Sequence, residues 1–287
     1  MAGETDTNAT RGTLVMAHDL LGAVLGAIVG LILALTGAGG GILAVPLLVF
    51  GLGLNMVEAA PVGLLAVGLA AALGAFLGWR QGLVRYRAAF FIAALGLLTA
   101  PLGLWLAHRL PNAPLALGFS VVLVYACSRM LLKARRELRG ESPCGDRTLQ
   151  PCVLNPQQGR LRWTLPCARA LAFTGMLGGL LSGLLGVGGG FVIVPALGRY
   201  TNLEMKSMVA TSLAVIALVS TGSVLTASLS GVMHWAVGAP FAAGALLGLL
   251  GGRQVARRLA GPRLQQAFAI VGIGAAVLLA GNTLLGQ

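Results

Sequence analysis

The chain has 287 residues, of which 57% are hydrophobic and only 10% charged, with a mean hydropathy of +0.88. A soluble globular chain carries about 25% charged residues, so this composition excludes a soluble domain and places the chain in a membrane. The formal net charge of +12 does not point to nucleic acid, because Lys and Arg concentrate between apolar runs, where they orient the protein and meet anionic lipid headgroups.

Residues 1–20 form a polar tail with Glu4, Asp6, Arg11 and Asp19 and no basic cluster before the first apolar run, which is not the pattern of a cleaved signal peptide. Apolar segments follow at 14–54, 56–78, 88–108, 113–132, 168–198, 205–229, 235–252 and 264–285. Several approach the roughly 20 residues that a helix needs to cross hydrocarbon. A membrane barrel would alternate apolar and polar residues, whereas Val62 to Leu77 is apolar on every side. The expected fold is therefore all-α, a polytopic transmembrane helical bundle.

Two glycine clusters interrupt this pattern: Gly37-Ala38-Gly39-Gly40-Gly41 and Gly186-Val187-Gly188-Gly189-Gly190, each followed by a proline, Pro46 and Pro195. Gly37 and Gly186 stand 149 residues apart (186 minus 37). The same offset pairs Gly26 with Gly175, Gly30 with Gly179, Leu64 with Leu213, Gly82 with Gly231, Gly103 with Gly252 and Phe119 with Phe268. One unit is written twice, which predicts a tail at 1–20, a first membrane repeat at 21–132, a basic cytoplasmic linker at 133–167 and a second membrane repeat at 168–287.

Loop charges set the orientation. In the first half the turn Gly51 to Glu58 has no Lys or Arg, the next loop has Arg80, Arg85 and Arg87, and the one after has only Arg109. Beyond the third spanning helix come Arg129, Lys133, Arg135, Arg136 and Arg139. In the second half the signs are reversed: Arg199 and Lys206 in the first turn, none from Ser230 to His234, then Arg253, Arg257, Arg258 and Arg263. Positive loops stay in the cytoplasm, so matching sequence with mirrored charge predicts two inverted-topology repeats. Each has a broken or re-entrant Gly-rich first segment followed by three spanning helices, and both termini lie outside the cytoplasm.

The pieces after the glycines, Ile42 to Leu54 and Phe191 to Arg199, extend at most about 20 Å against about 30 Å of hydrocarbon. They read as half-helices or hairpin arms. Irregular backbone at that depth is tolerated only when buried in protein or lining a polar cavity, and the N-terminus of a half-helix presents unpaired N–H groups that suit an anion. Gly39, Gly40, Gly41, Gly188, Gly189 and Gly190 are therefore candidate substrate-binding residues, with hydroxyls from Thr36, Ser182, Thr211 and Ser212 as candidate donors. The bland alternative is helix packing, which suits the four-residue spacing of Gly22, Gly26 and Gly30 but not three adjacent glycines, which point around the whole helix. A hydroxyl in an apolar helix also commonly bonds its own backbone.

His234 is a candidate proton shuttle, and Arg80 and Arg85 are candidate gating residues whose ordinary use is topology and headgroup contact. The second to fourth helical segments of each half hold no buried carboxylate beyond Glu58 and Glu204 at their entrances, so no proton or sodium pathway of that kind is visible. Three scattered histidines supply no catalytic constellation or metal centre for an intramembrane enzyme. Cys127, Cys144, Cys152 and Cys167 lack CxxC spacing; free cytoplasmic thiols are expected, with a metal or redox role as the alternative.

The motif Gly-x-Gly-Gly-Gly with its following proline, at Gly37 to Pro46 and again at Gly186 to Pro195, then Ala210-Thr211-Ser212-Leu213 and Gly231-Val232-Met233-His234-Trp235, resembles the sulfite exporter TauE/SafE family over about Leu21 to Leu279. The resemblance implies a multi-pass permease of the cell (inner) membrane that exports a small sulfur-containing anion, sulfite or a related oxyanion or organosulfonate. An anion channel or a permease for small organic acids is the alternative. It implies no enzyme activity and no cofactor. Its partners would be the small anionic substrate and membrane lipids rather than nucleic acid, and the glycine-spaced faces serve a homodimer as readily as an intramolecular contact.

Overall fold

The computed structural model describes residues 3–36, 41–139, 152, 154–155, 160–161, 164–201, 203–231, 233–259 and 262–285. Among the described residues ten helices carry the fold: α1 (Gly3–Thr36), α2 (Gly41–Leu52), α3 (Met56–Arg80), α4 (Tyr86–Arg109), α5 (Asn112–Leu138), α6 (Leu165–Leu185), α7 (Gly190–Tyr200), α8 (Met205–Leu229), α9 (Trp235–Leu259) and α10 (Pro262–Leu285). Among the described residues, seven of them (α3, α4, α5, α6, α8, α9 and α10) are long and apolar enough to cross a membrane. Their outer faces carry large apolar side chains that water would not tolerate in such number, such as Phe90, Leu98, Leu229 and Leu247, each at least 70% exposed. The most hydrophobic stretches of α3 and α8 are 61% and 56% buried and that of α10 only 22%, so α3 and α8 form the centre and α10 lies at the rim.

Local chemistry explains the element boundaries. The Asn55 N–H donates to Glu58 Oε2 at 3.2 Å, fixing the first turn of α3, so this carboxylate is a helix cap at the mouth of the bundle. Thr164 Oγ1 accepts from the Cys167 N–H at 3.4 Å to start α6. α6 stops at Gly186, whose φ of 71° is left-handed. The short helices α2 and α7 each carry a proline on their second turn, the buried Pro46 and the exposed Pro195, so each forgoes one intrahelical bond near its N-terminus. At 12 and 11 residues they extend about 18 and 16 Å, well short of about 30 Å of hydrocarbon.

Neither short helix continues across the bundle. α7 turns back along α6, with Gly178 facing Ile193 and the Gly189 carbonyl. Its last residue, Tyr200, returns to the starting end of α6, because the Tyr200 carbonyl accepts from the Cys152 N–H at 3.1 Å and Cys152 is disulfide-bonded to Cys167. α2 turns back along α1 in the same way: a methyl on Gly51 would stand 2.5 Å from Leu25 Cδ1.

Packing between the two halves follows one rule. α1 packs on α9 and α6 packs on α4, while α3 meets α8 and α5 meets α10. Gly26 lies against the Phe241 and Ala245 backbone, and Gly175 lies against that of Ile92. Because Phe241 and Ile92 are themselves 149 residues apart, these are one contact with the halves exchanged. Gly30 on Ala245 and Gly179 on Gly96 repeat the relation one turn further on. Glycine is needed there for close approach, since a side chain would collide with a neighbouring carbonyl.

The linker departs from the sequence reading. Cys152 and Cys167 are not free thiols but form a disulfide, with Cα atoms 5.0 Å apart. The chain around them folds back on the α6–α7 end: Cys152 bridges to Thr201, and a two-residue ribbon pairs β1 (Leu154–Asn155) with β2 (Arg160–Leu161). Spacing in sequence carried no sign of this, because the path of the linker is set by the end of α7. Cys127 is a free thiol buried in α5. The bridge closes 15 residues, a loop worth up to about 3 kcal/mol. Cys152→Ser is therefore expected to lower the thermal unfolding midpoint in detergent, and a reductant should bring the wild type to the same midpoint without lowering that of the variant.

Candidate functional site

The two glycine breaks come together in the middle of the molecule. Gly41 opens α2, and a methyl placed on it would stand 2.7 Å from the Val187 carbonyl oxygen and 3.2 Å from Val67 of α3. From the other side, Gly186 lies against the Ala60 backbone, and Gly188 faces Ile216, Val67 and Ser220. Glycine is required at Gly188 and Gly189 for a second reason, since their φ angles of 77° and 65° are left-handed. The resulting turn points the start of α7 into the seam between α3 and α8. There the first amides of α7, those of Gly190 and Phe191, have no acceptor within the helix. Gly39 and Gly40, and the side chain of Thr36, lie outside the described residues; of the first cluster, Gly41 is the residue whose contacts are described.

Of the predicted hydroxyls one is buried without a hydrogen-bond partner among the described residues and two are engaged. Ser182 is fully buried, one helical turn beyond Gly178 on the α7-facing side of α6, and among the described residues its Oγ has no hydrogen-bond partner. Thr211 is also fully buried, but its Oγ1 accepts the Arg85 N–H at 3.1 Å and so ties α8 to the α3–α4 turn. Ser212 donates to the Val209 carbonyl at 2.9 Å, within its own helix. Ser207, at 2.6 Å from the Leu83 carbonyl, extends the same seam. Thr211 and Ser207 thus belong to the join between the start of α8 and the α3–α4 turn.

The hydroxyl that faces the glycine turn is Ser220, two turns further along α8. It is 1% exposed, and its Oγ is 3.7 Å from where a Gly188 methyl would stand. Among the described residues neither it nor Ser223, on the same face of α8, has a hydrogen-bond partner. Unpartnered buried hydroxyls are uncommon because each forfeits its hydration. Ser182, Ser220 and Ser223 stand where Leu33, Ala71 and Gly74 stand at the 149-residue offset, so these three buried hydroxyls have no counterpart at the matching positions of the first half.

Arg80 and Arg85 stand at the α3–α4 turn, and His234 is exposed just before α9. Between residues 20 and 57, 59 and 79, 170 and 198, and 207 and 233 there is no Asp, Glu, Lys, Arg or His, so the crossing has dipoles but no ionic side chain. No group of acidic, histidine or cysteine residues among those described is placed to hold a metal ion. A small apolar pocket lies elsewhere, between α1, α2, α5 and α10, lined by Ile32, Leu43, Cys127 and Phe268 among others. It offers an anion no donor stronger than a thiol.

The chain matches the family model described as sulfite exporter TauE/SafE over residues 22–279. It is 28% identical over 257 residues to a "Probable membrane transporter protein" of Xylella fastidiosa strain Temecula1, covering 88% of this chain and 91% of that one. It is 27% identical over 259 residues to the "Probable membrane transporter protein YjnA" of Bacillus subtilis strain 168, covering 86% and 92%. No solved structure matches the chain.

Proposed function

The chain belongs to the sulfite exporter TauE/SafE family of membrane transporters, and on that premise we propose that it is a secondary transporter of the cell (inner) membrane, not an enzyme. Its cargo is a small sulfur-containing anion, sulfite or a related oxyanion or organosulfonate, bound where the glycine turns meet. The observation that carries this reading is the approach of Gly41 to the Val187 carbonyl between α3 and α8. It brings the N-termini of two half-helices to one uncharged place, the arrangement by which transporters of inverted-repeat design hold an anion.

Two further observations support an inverted repeat. Equivalent contacts recur with the halves exchanged, as Gly26 on Phe241 and Gly175 on Ile92 do. In addition, the Ser207–Leu83 and Thr211–Arg85 bonds set the turn bearing Arg80, Arg85 and Arg87 beside the one bearing Arg199 and Lys206. Both basic turns then face the cytoplasm, α1–α2 and α6–α7 are re-entrant hairpins entering from opposite faces, and both chain ends lie outside.

Purified protein in liposomes is expected to carry sulfite or a short organosulfonate with a flux that saturates as concentration rises. A flux that grows linearly to high concentration would favour the channel reading. Transport of short carboxylates in preference to sulfur oxyanions would favour the organic-acid permease, and no flux for any of these anions would end the proposal.

A further inference from the structure

The glycine crossing has a property that bears on which anion it holds, and the inference rests on the transport reading above. Four observations define it. α2 and α7 both begin there, at Gly41 and Gly190. Ser220 and Ser182 are at least 99% buried, with Oγ atoms unpartnered among the described residues. Ser220 is the nearer, separated from Gly188 only by the space a methyl would occupy. Finally, no Lys, Arg or His occurs anywhere in the stretches that form the crossing.

The electrostatic balance follows from these. A helix N-terminus acts as about half a positive charge and a C-terminus as about half a negative one, so α2 and α7, which begin at the breaks where α1 and α6 end, together offset at most about one negative charge. Hydroxyl donors add directional bonds but no net charge. A dianion would leave at least one charge uncompensated in a water-poor interior, and its desolvation cost, which scales with the square of charge, is about four times that of a monoanion. Sites that take divalent oxyanions commonly add Arg or Lys clamps, and the stretches that form the crossing contain neither residue.

We propose that the site accepts oxyanions only in singly charged form, as hydrogen sulfite, a sulfonate or a carboxylate, and excludes dianions such as sulfate, with Ser220 donating the side-chain hydrogen bond to an anion oxygen. The asymmetry of the lining has a use here. Ala71 stands where the second half has Ser220, so one hydroxyl-rich wall orients the anion while the other stays apolar.

The test uses the full chain reconstituted in liposomes, with initial uptake of methanesulfonate and of sulfate measured at equal concentration. Methanesulfonate should enter at least about tenfold faster, a difference equivalent to about 1.4 kcal/mol. Total sulfite held constant should enter faster in mildly acidic than in mildly alkaline buffer, following its singly charged fraction, while methanesulfonate uptake stays level across the same range. Ser220→Ala should raise the KM for methanesulfonate about tenfold without lowering the thermal midpoint. Ser220→Cys, which keeps the volume against Gly68 and weakens the donor, should raise it in the same direction.

Sulfate uptake equal to that of methanesulfonate overturns the charge rule while leaving transport intact. An unchanged KM in both Ser220 variants overturns the role of that hydroxyl. If the wild type moves no anion, the transport reading fails and takes this inference with it.

Discussion

Gly188→Ala is expected to fold and to lose transport, with uptake at low substrate concentration falling by more than about tenfold. The methyl would stand 3.1 Å from Ile216 Cγ2, 3.5 Å from Val67 Cγ1 and 3.7 Å from Ser220 Oγ. It therefore asks its neighbours for a few tenths of an ångström while occupying the space between the start of α7 and the Ser220 hydroxyl. The backbone also resists, because at φ 77° an L-residue costs about 1–2 kcal/mol. Gly82→Ala separates the two effects: Gly82 has φ 68° and nothing within 4 Å of an added methyl, so that variant should show the strain as a lowered melting midpoint and keep its flux. Gly186→Ala and Gly189→Ala should behave differently again, since their methyl groups would meet the backbone of Ala60 and of Gly178, and the α6–α7 turn itself would have to open. Uptake and thermal unfolding measured on all four variants place the site. Full transport by Gly188→Ala would remove the anion from this turn.

The glycine breaks were legible in the sequence because consecutive glycines have no packing use that fits a continuous helix, and the short apolar pieces after them are limited by helical rise. The mirrored loop charges, Arg80, Arg85 and Arg87 against Arg199 and Lys206, lead to the expectation that the two breaks meet, and in the structure Gly41 lies against the Val187 carbonyl. The four-residue spacing of Gly22, Gly26 and Gly30 announced a close-packed face. It did not announce that the partner is α9 of the other half, because a face defined by small size says nothing about which surface fills it.

The polar lining was the least legible part. Thr211, Ser212, Ser220, Thr221 and Ser223 all sit on α8, and composition makes them equivalent. Their fates diverge through neighbours that sequence does not order. Thr211 is drawn to the Arg85 N–H by the α3–α4 turn, Ser212 and Thr221 bond their own helix, and Ser220 and Ser223 turn inward without a partner among the described residues. The Cys152–Cys167 bridge was hidden for a related reason, since a linker 35 residues long (133 to 167) allows many closures, and the chosen one depends on where Tyr200 emerges.

Gly26→Leu and Gly175→Leu should each destabilise the folded protein by at least about 3 kcal/mol, and by similar amounts. Gly26 lies against the Phe241 carbonyl, and a methyl on Gly175 would stand 2.6 Å from the Ile92 carbonyl oxygen. In both cases the obstacle is backbone, which cannot rotate aside as a side chain can, so the helices must separate and lose packing along their whole contact. In a bilayer this contact has no hydrophobic driving force to recover, because lipid tails are as apolar as the helices, and association rests on close fit. Gly118→Leu is the reference, since Gly118 is exposed on α5 with nothing within 4 Å of an added methyl. Yield of monodisperse protein and thermal midpoint in detergent should fall together for the first two variants and stay near wild type for the third. The equality of the first two is the sharper requirement. Phe241 and Ile92 are separated by the same 149 residues as Gly26 and Gly175, so a structure in which one replacement is harmless and the other destructive would not have its halves related by exchange. The two glycine turns would then have no symmetry reason to meet at one anion.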